Sequence, residues 1–230
     1  MNIDAHRKVI DETLSAINSI KHNPYVLKGG TALMTCYGLD RFSEDIDLDA
    51  PAGTAFHGGL YEALESLCEI KGYNLRKAKN TETVQRVFIH YGSDKPLKVE
   101  VSYRRKTIDN TLVTNVGGIQ VYTIDQLCML KCSAYLSRDK IRDLYDVTYI
   151  CTRFKDDLSP ASLNELQNVF EYKDLDQFDY LVRTQDDPLI DVDKMETAFL
   201  ESYEILGLST PTQTLSLEER AHGDDENPSR

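Results

Sequence analysis

Hydrophobic positions near the start of the chain follow helical spacing and then change to the two-residue alternation of strands. Val9, Leu14 and Ile17 predict an amphipathic helix over residues 5–20, which ends before Pro24. The other elements predicted for this half are a short apolar segment at 25–27, a helix ending near 37, a helix at 56–71, and strands at 45–49, 73–78, 83–91, 97–104 and 119–123.

From Thr123 onward the hydrophobic pattern is helical throughout. It predicts helices at 124–136, 139–153, 160–171, 174–185 and 191–206. Residues 209–230 are rich in Ser, Thr, Pro, Asp and Glu, which predicts a mobile acidic tail. The expected fold class is therefore α+β, with an α/β domain over residues 1–123 and a helical domain over residues 124–208.

The composition restricts where such a chain works. Its 230 residues are 41% hydrophobic, which is enough for a folded core and too apolar for a disordered protein. No apolar run approaches the ~18–20 residues that span a bilayer, so we expect no membrane partner and a cytoplasmic location. The five cysteines are scattered without a CxxC pair, which predicts reduced thiols rather than a disulfide framework or a zinc site.

The net charge of −12 is unevenly distributed along the chain. Residues 1–150 carry 19 basic and 19 acidic side chains, so the whole acidic excess lies after residue 150. The window 71–106 has 10 basic and 3 acidic residues. It predicts either an ordinary solvated face or a phosphate-binding surface, for which Arg104, Arg105 and Lys106 are the candidate RNA-binding residues.

Three acidic residues alternate with Ile and Leu in the stretch from Asp45 to Asp49. On a strand, Asp45, Asp47 and Asp49 share one face, where neighbouring carboxylates repel one another unless a cation lies between them. Carboxylate oxygens suit Mg²⁺, so a metal site is one interpretation. A solvent-facing acidic edge strand is the other.

A Gly-Gly-Thr turn precedes this acidic motif at the start of a predicted helix. Gly29, Gly30 and Thr31 would offer free backbone N–H groups, a hydroxyl and the positive end of the helix, which together bind phosphate. The turn and the acidic motif together favour a site for a metal-bound nucleotide.

Two later segments can complete such a site. Glu100 lies between Val99 and Val101 in a strand and is a candidate third carboxylate, or a surface residue that offsets nearby lysines. A helical stripe would bring together further charged residues, although it is also compatible with a salt-bridged helix face. Its members are Lys131, Arg138, Arg142 and Asp146.

These motifs, read together, resemble those of a known family. Leu-Lys-Gly-Gly-Thr-Ala-Leu at 27–33, the Arg-x-Ser-x-Asp-Ile-Asp-Leu pattern at 41–48 and the Arg-Asp-Leu-Tyr-Asp run at 142–146 are similar to the AbiEii/AbiGii nucleotidyltransferase-like toxins. These toxins belong to the DNA polymerase β-like nucleotidyltransferase superfamily. The resemblance covers about residues 25–150. It implies a mixed-sheet nucleotidyltransferase domain followed by a helical domain that completes the active site.

The resemblance also implies roles for individual residues. Asp45, Asp47 and Glu100 would bind two Mg²⁺ ions, with Mn²⁺ as the alternative, and Glu100 could instead act as the general base. The catalytic set would be these three with Lys131 and Asp143, and the further candidates are Arg41, Ser43, Asp49 and Asp146. The nucleotide-binding set would be Gly29, Gly30, Thr31, Lys131, Arg138 and Arg142.

The function expected from this resemblance is Mg²⁺-dependent transfer of a nucleotide from a nucleoside triphosphate to a hydroxyl. The acceptor would be an RNA, with the tRNA 3′ end as the first candidate. The protein would act as the toxin of a toxin–antitoxin or abortive-infection system, with a cognate antitoxin as partner. Two alternatives stay open: a protein or small-molecule acceptor such as an aminoglycoside, which the acidic segment after residue 150 would attract, and a non-catalytic binding module.

Overall fold

A single mixed sheet organises the first half of the chain in the computed structural model, which describes residues 2–209. The strands within those residues are β1 (Val26–Lys28), β2 (Asp45–Pro51), β3 (Asn74–Asn80), β4 (Val84–His90), β5 (Leu97–Arg105), β6 (Val113–Val116) and β7 (Ile119–Tyr122). Their order across the sheet is β3-β4-β5-β2-β1-β7-β6. Strand β2 therefore lies at the centre, where it pairs parallel with β5 and antiparallel with β1.

Helices flank the sheet and form the second half of the described chain. They are α1 (Ile3–Asn18), α2 (Gly29–Cys36), α3 (Leu60–Lys71), α4 (Ile124–Ser137), α5 (Ile141–Phe154), α6 (Pro160–Tyr172), α7 (Leu175–Thr184) and α8 (Val192–Ile205). Thr123 caps α4 by accepting a hydrogen bond from the Gln126 N–H at 3.3 Å. The helix thus begins where the sheet ends.

The two faces of the central strands have opposite character because side chains alternate along a strand. Ile46, Leu48, Val99 and Val101 are buried on one face. Helices α1 and α3 pack against each other, α1 contacts β5, and α3 contacts β3. The opposite face carries the polar members of the same strands, of which Asp45, Asp47, Lys98 and Glu100 are partly exposed and Asp49 is buried.

The helical half packs directly onto this framework. Helix α4 contacts α2, α5 and α6, and α5 contacts α8. One hydrophobic cluster includes Leu27 and Ile46 of the sheet together with Leu127 and Leu144 of the helices. Because the core is continuous, the boundary at residue 123 stays a prediction, and the site can draw on both halves of the chain.

A side chain from the α7–α8 connection completes the start of α5. The Gln185 Oε1 atom accepts a hydrogen bond from the Ile141 N–H at 3.0 Å, and its amide nitrogen donates to the Asp139 carbonyl at 2.6 Å. The first N–H groups of a helix have no partner within the helix, so this distant side chain satisfies one of them. The position of α5 therefore depends on the C-terminal helices.

Several element boundaries differ from those predicted. Helix α3 begins at Leu60 rather than residue 56, because Gly59 has a φ of 75°, which a right-handed helix cannot include. Strand β6 was not predicted, since its four residues alternate too briefly to show a pattern. The predicted tail lies outside the described residues apart from Ser209. No helix among the described residues is long and apolar enough to cross a bilayer.

Core truncation tests this arrangement. Leu14 on α1 is 1% exposed, whereas Ile70 on α3 is 76% exposed. We expect Leu14→Ala to lower the free energy of unfolding by about 2–5 kcal/mol, because the truncation leaves a cavity. The matched Ile70→Ala should change it by less than about 0.5 kcal/mol. Urea denaturation followed by circular dichroism measures both, and equal losses would contradict the packing of α1 against the sheet.

Candidate active site

Two glycines open α2 and bring its first turn close to the acidic strand. Gly29 has a φ of 77°, and a Cβ there would lie 3.3 Å from Asp47 Oδ2. A Cβ at Gly30 would lie 2.7 Å from Ser43 Oγ and 2.9 Å from Arg41 Nη2. Side chains at these positions would displace Asp47 or the Arg41–Ser43 segment. The helix N-terminus, with its N–H groups, therefore approaches the carboxylates only because both residues are glycine.

The Thr31 hydroxyl turns away from this opening. Thr31 is 1% exposed, its Oγ1 lies 3.0 Å from Ser43 Oγ, and it bonds the carbonyl of Asp45. The structure thus gives this hydroxyl a role in holding the start of β2 instead of the expected phosphate contact. Ser43 is likewise buried, with its N–H on the Met34 sulfur at 3.3 Å.

The sheet register brings three predicted carboxylates together. Asp47 on β2 pairs directly with Glu100 on the parallel strand β5, and Asp45 pairs with Lys98. Residues paired in this way point to the same face, so Asp45, Asp47 and Glu100 face one side of the sheet as predicted. The signal for Lys98 was present in the sequence, since it lies two residues before Glu100.

Burial and neighbouring charges shift the ionisation of Asp47 and Lys98. Burial raises the pKa of Asp47, and the neighbouring Asp45 and Glu100 raise it further, while Lys98 and Lys28 act in the opposite direction. The pKa of Lys98 is raised despite its partial burial, because Asp45 bonds it and Asp47 and Glu100 lie nearby. Lys98 and Arg86 each bond one of the three carboxylates, so the group keeps one more negative than positive charge.

The three carboxylates are suitable ligands for a hard divalent cation, although they do not converge on one point in this structure. Within residues 2–209, no three acidic, histidine or cysteine side chains already converge at metal-binding distances. Asp45 is held by Lys98 at 2.7 Å, and Glu100 bonds Arg86. Three carboxylates on one face nevertheless supply the oxygen ligands that Mg²⁺ takes. Asp45, Asp47 and Glu100 are the residues that could hold such an ion.

Asp49, the third acid of the motif, has a different environment. It is buried, with Oδ1 2.5 Å from Lys28 Nζ and Oδ2 3.0 Å from both Arg105 Nε and the Tyr122 hydroxyl. These three partners occupy its oxygens, so it ties β1, β5 and β7 together rather than offering a metal ligand. The candidate role in the site is corrected to a structural one.

A β-bulge explains why Arg105 reaches Asp49. The pairing of β2 with β5 shifts by one residue between Asp49 and Pro51, so Pro51 lies opposite Arg105. The predicted RNA-binding role of Arg105 is not supported, because its guanidinium is tied to Asp49 and lies 5.8 Å from the Tyr122 ring. Arg104 and Lys106 are exposed.

A buried ion cluster joins the acidic strand to the helical half. Arg41 binds Asp146 through two bonds of 2.7 Å, and Lys131 Nζ lies 2.5 Å from the same carboxylate. Burial opposes ionisation of Asp146, but Lys131 and Arg41 hold its pKa below the usual value. Lys131 is therefore positioned mainly by Asp146.

Asp143, which the resemblance placed in the catalytic set, has Arg138 as its main partner. It lies 3.8 Å from Lys131 and accepts two bonds from Arg138, at 2.7 and 3.0 Å. Asp143 therefore chiefly fixes the Arg138 guanidinium. Bonding to Asp143 raises the pKa of Arg138, which keeps it charged.

Arg142 points away from the triphosphate site that was predicted for it. It bonds Asp187 on the α7–α8 connection and Glu44 before β2, the latter at 3.0 Å. Both carboxylates occupy its guanidinium, so it links the two halves of the chain. The sequence alone shows no signal for these partners, because Glu44 and Asp187 are distant in the chain from Arg142 and from each other.

Six of the candidates line one cavity of about 350 Å³, whereas Asp45 lies outside its wall. The wall includes Gly29, Gly30, Asp47, Glu100, Lys131 and Arg138, together with Lys28, which the sequence motifs did not single out. The N-terminus of α2 and the cations Lys28, Lys131 and Arg138 thus share the cavity with the carboxylates Asp47 and Glu100. That arrangement suits a ligand with an anionic end and a metal-binding end. A cavity of about 500 Å³ between α5 and α8 contains none of the predicted site residues.

Comparison with solved structures shows the same fold elsewhere. JHP933 from Helicobacter pylori superposes with a TM-score of 0.74 at 24% identity, covering 96% of this chain and 95% of that one. A second H. pylori structure has a TM-score of 0.72 at 24% identity, covering 95% and 97%. MenT4, a nucleotidyltransferase toxin from Mycobacterium tuberculosis, has a TM-score of 0.48 at 17% identity, covering 92% and 84%. No curated protein gives a significant match.

The family assignment comes from the sequence profile of the nucleotidyl transferase AbiEii toxins, type IV toxin–antitoxin system, which matches residues 12–210. That span includes the glycine turn, the acidic strand and the helices that carry Lys131 and Asp146. The predicted resemblance and the predicted fold class are both confirmed. The chain therefore belongs to the nucleotidyl transferase AbiEii toxin family and is a nucleotidyltransferase of the toxin class.

Proposed function

We propose that the protein transfers a nucleotide from a nucleoside triphosphate to the 3′ hydroxyl of an RNA, with the tRNA 3′ end as the first candidate. The observation that carries the proposal is the single cavity in which Asp47 and Glu100 face the N-terminus of α2, Lys131 and Arg138. We further propose that a cognate antitoxin controls this activity, as the type IV toxin–antitoxin family implies.

The triphosphate would lie at the α2 end of the cavity. The free N–H groups of the first turn and the helix dipole favour phosphate oxygens, and Gly29 and Gly30 permit their close approach. Lys131 and Arg138 add two positive charges that Asp146 and Asp143 hold in place. Pre-positioned cations of this kind stabilise charge that develops on a leaving pyrophosphate.

Asp45, Asp47 and Glu100 would hold the Mg²⁺ ions, or Mn²⁺ in their place. Ions bound there would neutralise phosphate charge and lower the pKa of the acceptor hydroxyl. Asp47 pairs with Glu100 across β2 and β5, so the two residues are neighbours on one face of the sheet and could share a metal ion. Glu100 would also be able to accept the acceptor proton, because it lines the cavity and is partly exposed.

In the transfer step, the acceptor oxygen forms a bond to the α-phosphorus while the bond between that phosphorus and the bridging oxygen of the β-phosphate breaks. The acceptor proton passes to Glu100 or to solvent. The pyrophosphate leaves towards Lys131 and Arg138, and the products are an RNA extended by one nucleotide and pyrophosphate. The residues of the chain contribute mainly by positioning the reactants and balancing charge.

An RNA acceptor has more support than the alternatives. Basic side chains lie beside the carboxylates on the partly exposed sheet face, as an RNA backbone requires. Asp187, which belongs to the acidic segment that would attract a cationic acceptor, is already neutralised by Arg142. Membership in a transferase family counts against a non-catalytic binding module.

Removal of one central carboxylate tests the catalytic assignment. We expect Asp47→Asn to reduce transfer of labelled nucleotide by about 100-fold or more, because it removes a charge on which the reaction depends. Asp94→Asn, an identical change at an exposed loop position, should retain the parental rate. Incubation of each folded protein with total RNA, Mg²⁺ and labelled triphosphates measures the effect. Equal activity of the two variants would disprove the assignment.

The chemical nature of the acceptor can be tested directly. We expect label from the triphosphate to enter RNA when RNA, protein lysate and aminoglycosides are offered together. Periodate treatment of the RNA should abolish the reaction, because it destroys the 3′ diol. Gel and chromatographic separation of the products reads out the result, and label in protein or in an aminoglycoside would refute the RNA proposal.

A further inference from the structure

The open face of the sheet carries a row of side chains that leads from its outer edge to Asp45. Arg76 on β3 pairs with Phe88 on β4, Phe88 pairs with Lys98 on β5, and Lys98 pairs with Asp45 on β2. Members of such a row share one face of the sheet. The row therefore runs across four neighbouring strands and ends at the proposed metal site.

A second row runs parallel to the first and ends at Asp47. It passes from Lys79 through Arg86 and Glu100 to Asp47. In the two rows, every acidic residue belongs to the carboxylate group, and every charged residue on β3 and β4 is basic. The outer part of this face is thus suited to a polyanion, and its inner part to the reacting centre.

The chemistry of the transfer fixes the side from which an acceptor enters. The groups proposed to bind the triphosphate are α2, Lys131 and Arg138. Helix α2 follows β1, and α4, which carries Lys131, follows β7; both helices contact β7. These groups therefore lie towards the β1 and β7 side of β2. Attacking and leaving oxygens are roughly in line through the phosphorus, so the acceptor approaches from the opposite side. In this sheet the opposite side is β5, β4 and β3.

Arg76 and Phe88 contact each other on the side of the sheet from which the acceptor would approach. The Arg76 guanidinium lies 4.6 Å from the centre of the Phe88 ring, and Phe88 is half-buried on the polar face, away from the core residues Val87 and Ile89. An aromatic ring and a guanidinium plane both stack on nucleobases, and neither requires a particular base. Unpaired bases are the ligands that match this combination within a basic face.

We propose, on the basis of the proposed RNA transfer, that Arg76 and Phe88 form a stacking platform for unpaired bases next to the 3′ end of the acceptor. Lys79, which is exposed on the same face, contacts an adjacent phosphate. The platform selects RNA with a single-stranded 3′ end and places its terminal hydroxyl over Glu100. The acceptor-binding residues are therefore on β3 and β4, away from the bulged end of β5 that the sequence indicated.

Strand β3 offers a matched control for the test. Lys77 is next to Arg76, but it bonds Glu65 and lies against the Tyr61 ring on α3, on the other face of the sheet. Lys77→Ala therefore removes the same charge from the same strand without touching the platform. Phe88→Tyr keeps a ring that can stack, whereas Phe88→Ala removes it.

The affinity of each variant is measured by fluorescence anisotropy with a short, labelled single-stranded RNA that ends in a 3′-deoxynucleotide. We expect Arg76→Ala and Phe88→Ala each to raise the Kd by about 10-fold, as loss of one stacked base does. Lys77→Ala and Phe88→Tyr should stay within about 2-fold of the parent, since neither removes a stacking plane. The Kd for nucleoside triphosphate should be unchanged in all four, which also shows that the variants are folded.

The outcomes separate the platform from the transferase proposal. A parent protein that transfers no nucleotide to RNA would overturn the proposed function. A parent that does so, while Arg76→Ala and Phe88→Ala bind RNA as tightly as Lys77→Ala, would overturn the platform alone. Equal weakening of binding to a blunt RNA duplex would also overturn it, because the bases of a duplex are not available to stack.

Discussion

The buried ion pair between Arg41 and Asp146 connects the parts on which the site depends. Arg41 precedes β2 and passes under Gly30, while Asp146 lies on α5 and also binds Lys131 of α4. One carboxylate thus fixes the start of the acidic strand, the first turn of α2 and the helix that carries the lysine. Removing one partner from a buried pair costs about 3–5 kcal/mol, since the remaining charge is left uncompensated. This constraint explains why the cavity has a defined shape.

The fold places acidic and basic residues of the chain in different regions. The N-terminal 150 residues are neutral overall, but within the sheet the acidic residues lie on the central strands β2 and β5, and the charged residues of β3 and β4 are all basic. Around Asp146 and Asp143, three cations, Arg41, Lys131 and Arg138, face two carboxylates, so this cluster is net positive, while Asp47 and Glu100 supply negative charge to the same cavity. The bulk charge of −12 therefore says little about which ligands the site attracts.

The sequence correctly predicted the features that follow from alternation within one strand. It did not predict side-chain partners that depend on the order of distant strands in the sheet. The common face of Asp47 and Glu100 follows from period-two spacing, and the structure pairs them directly. The burial of Asp49 could not be predicted, because its partners come from three strands whose order is not local information. Arg105 was misplaced since one extra residue in β5 reverses the alternation, and no pattern in the chain reveals that bulge.

The hydrogen bond from the Ile141 N–H to the Gln185 side chain affects the order in which parts of the protein fold during synthesis. A chain leaves the ribosome N-terminus first, so the sheet and the glycine turn are made long before Gln185 and Asp187 emerge. Until then α5 lacks its cap and Arg142 lacks one of its two carboxylates. The helix that holds Asp143 and Asp146 is thus secured only after residues 185 and 187 have been made, so the wall of the cavity is completed well after the sheet.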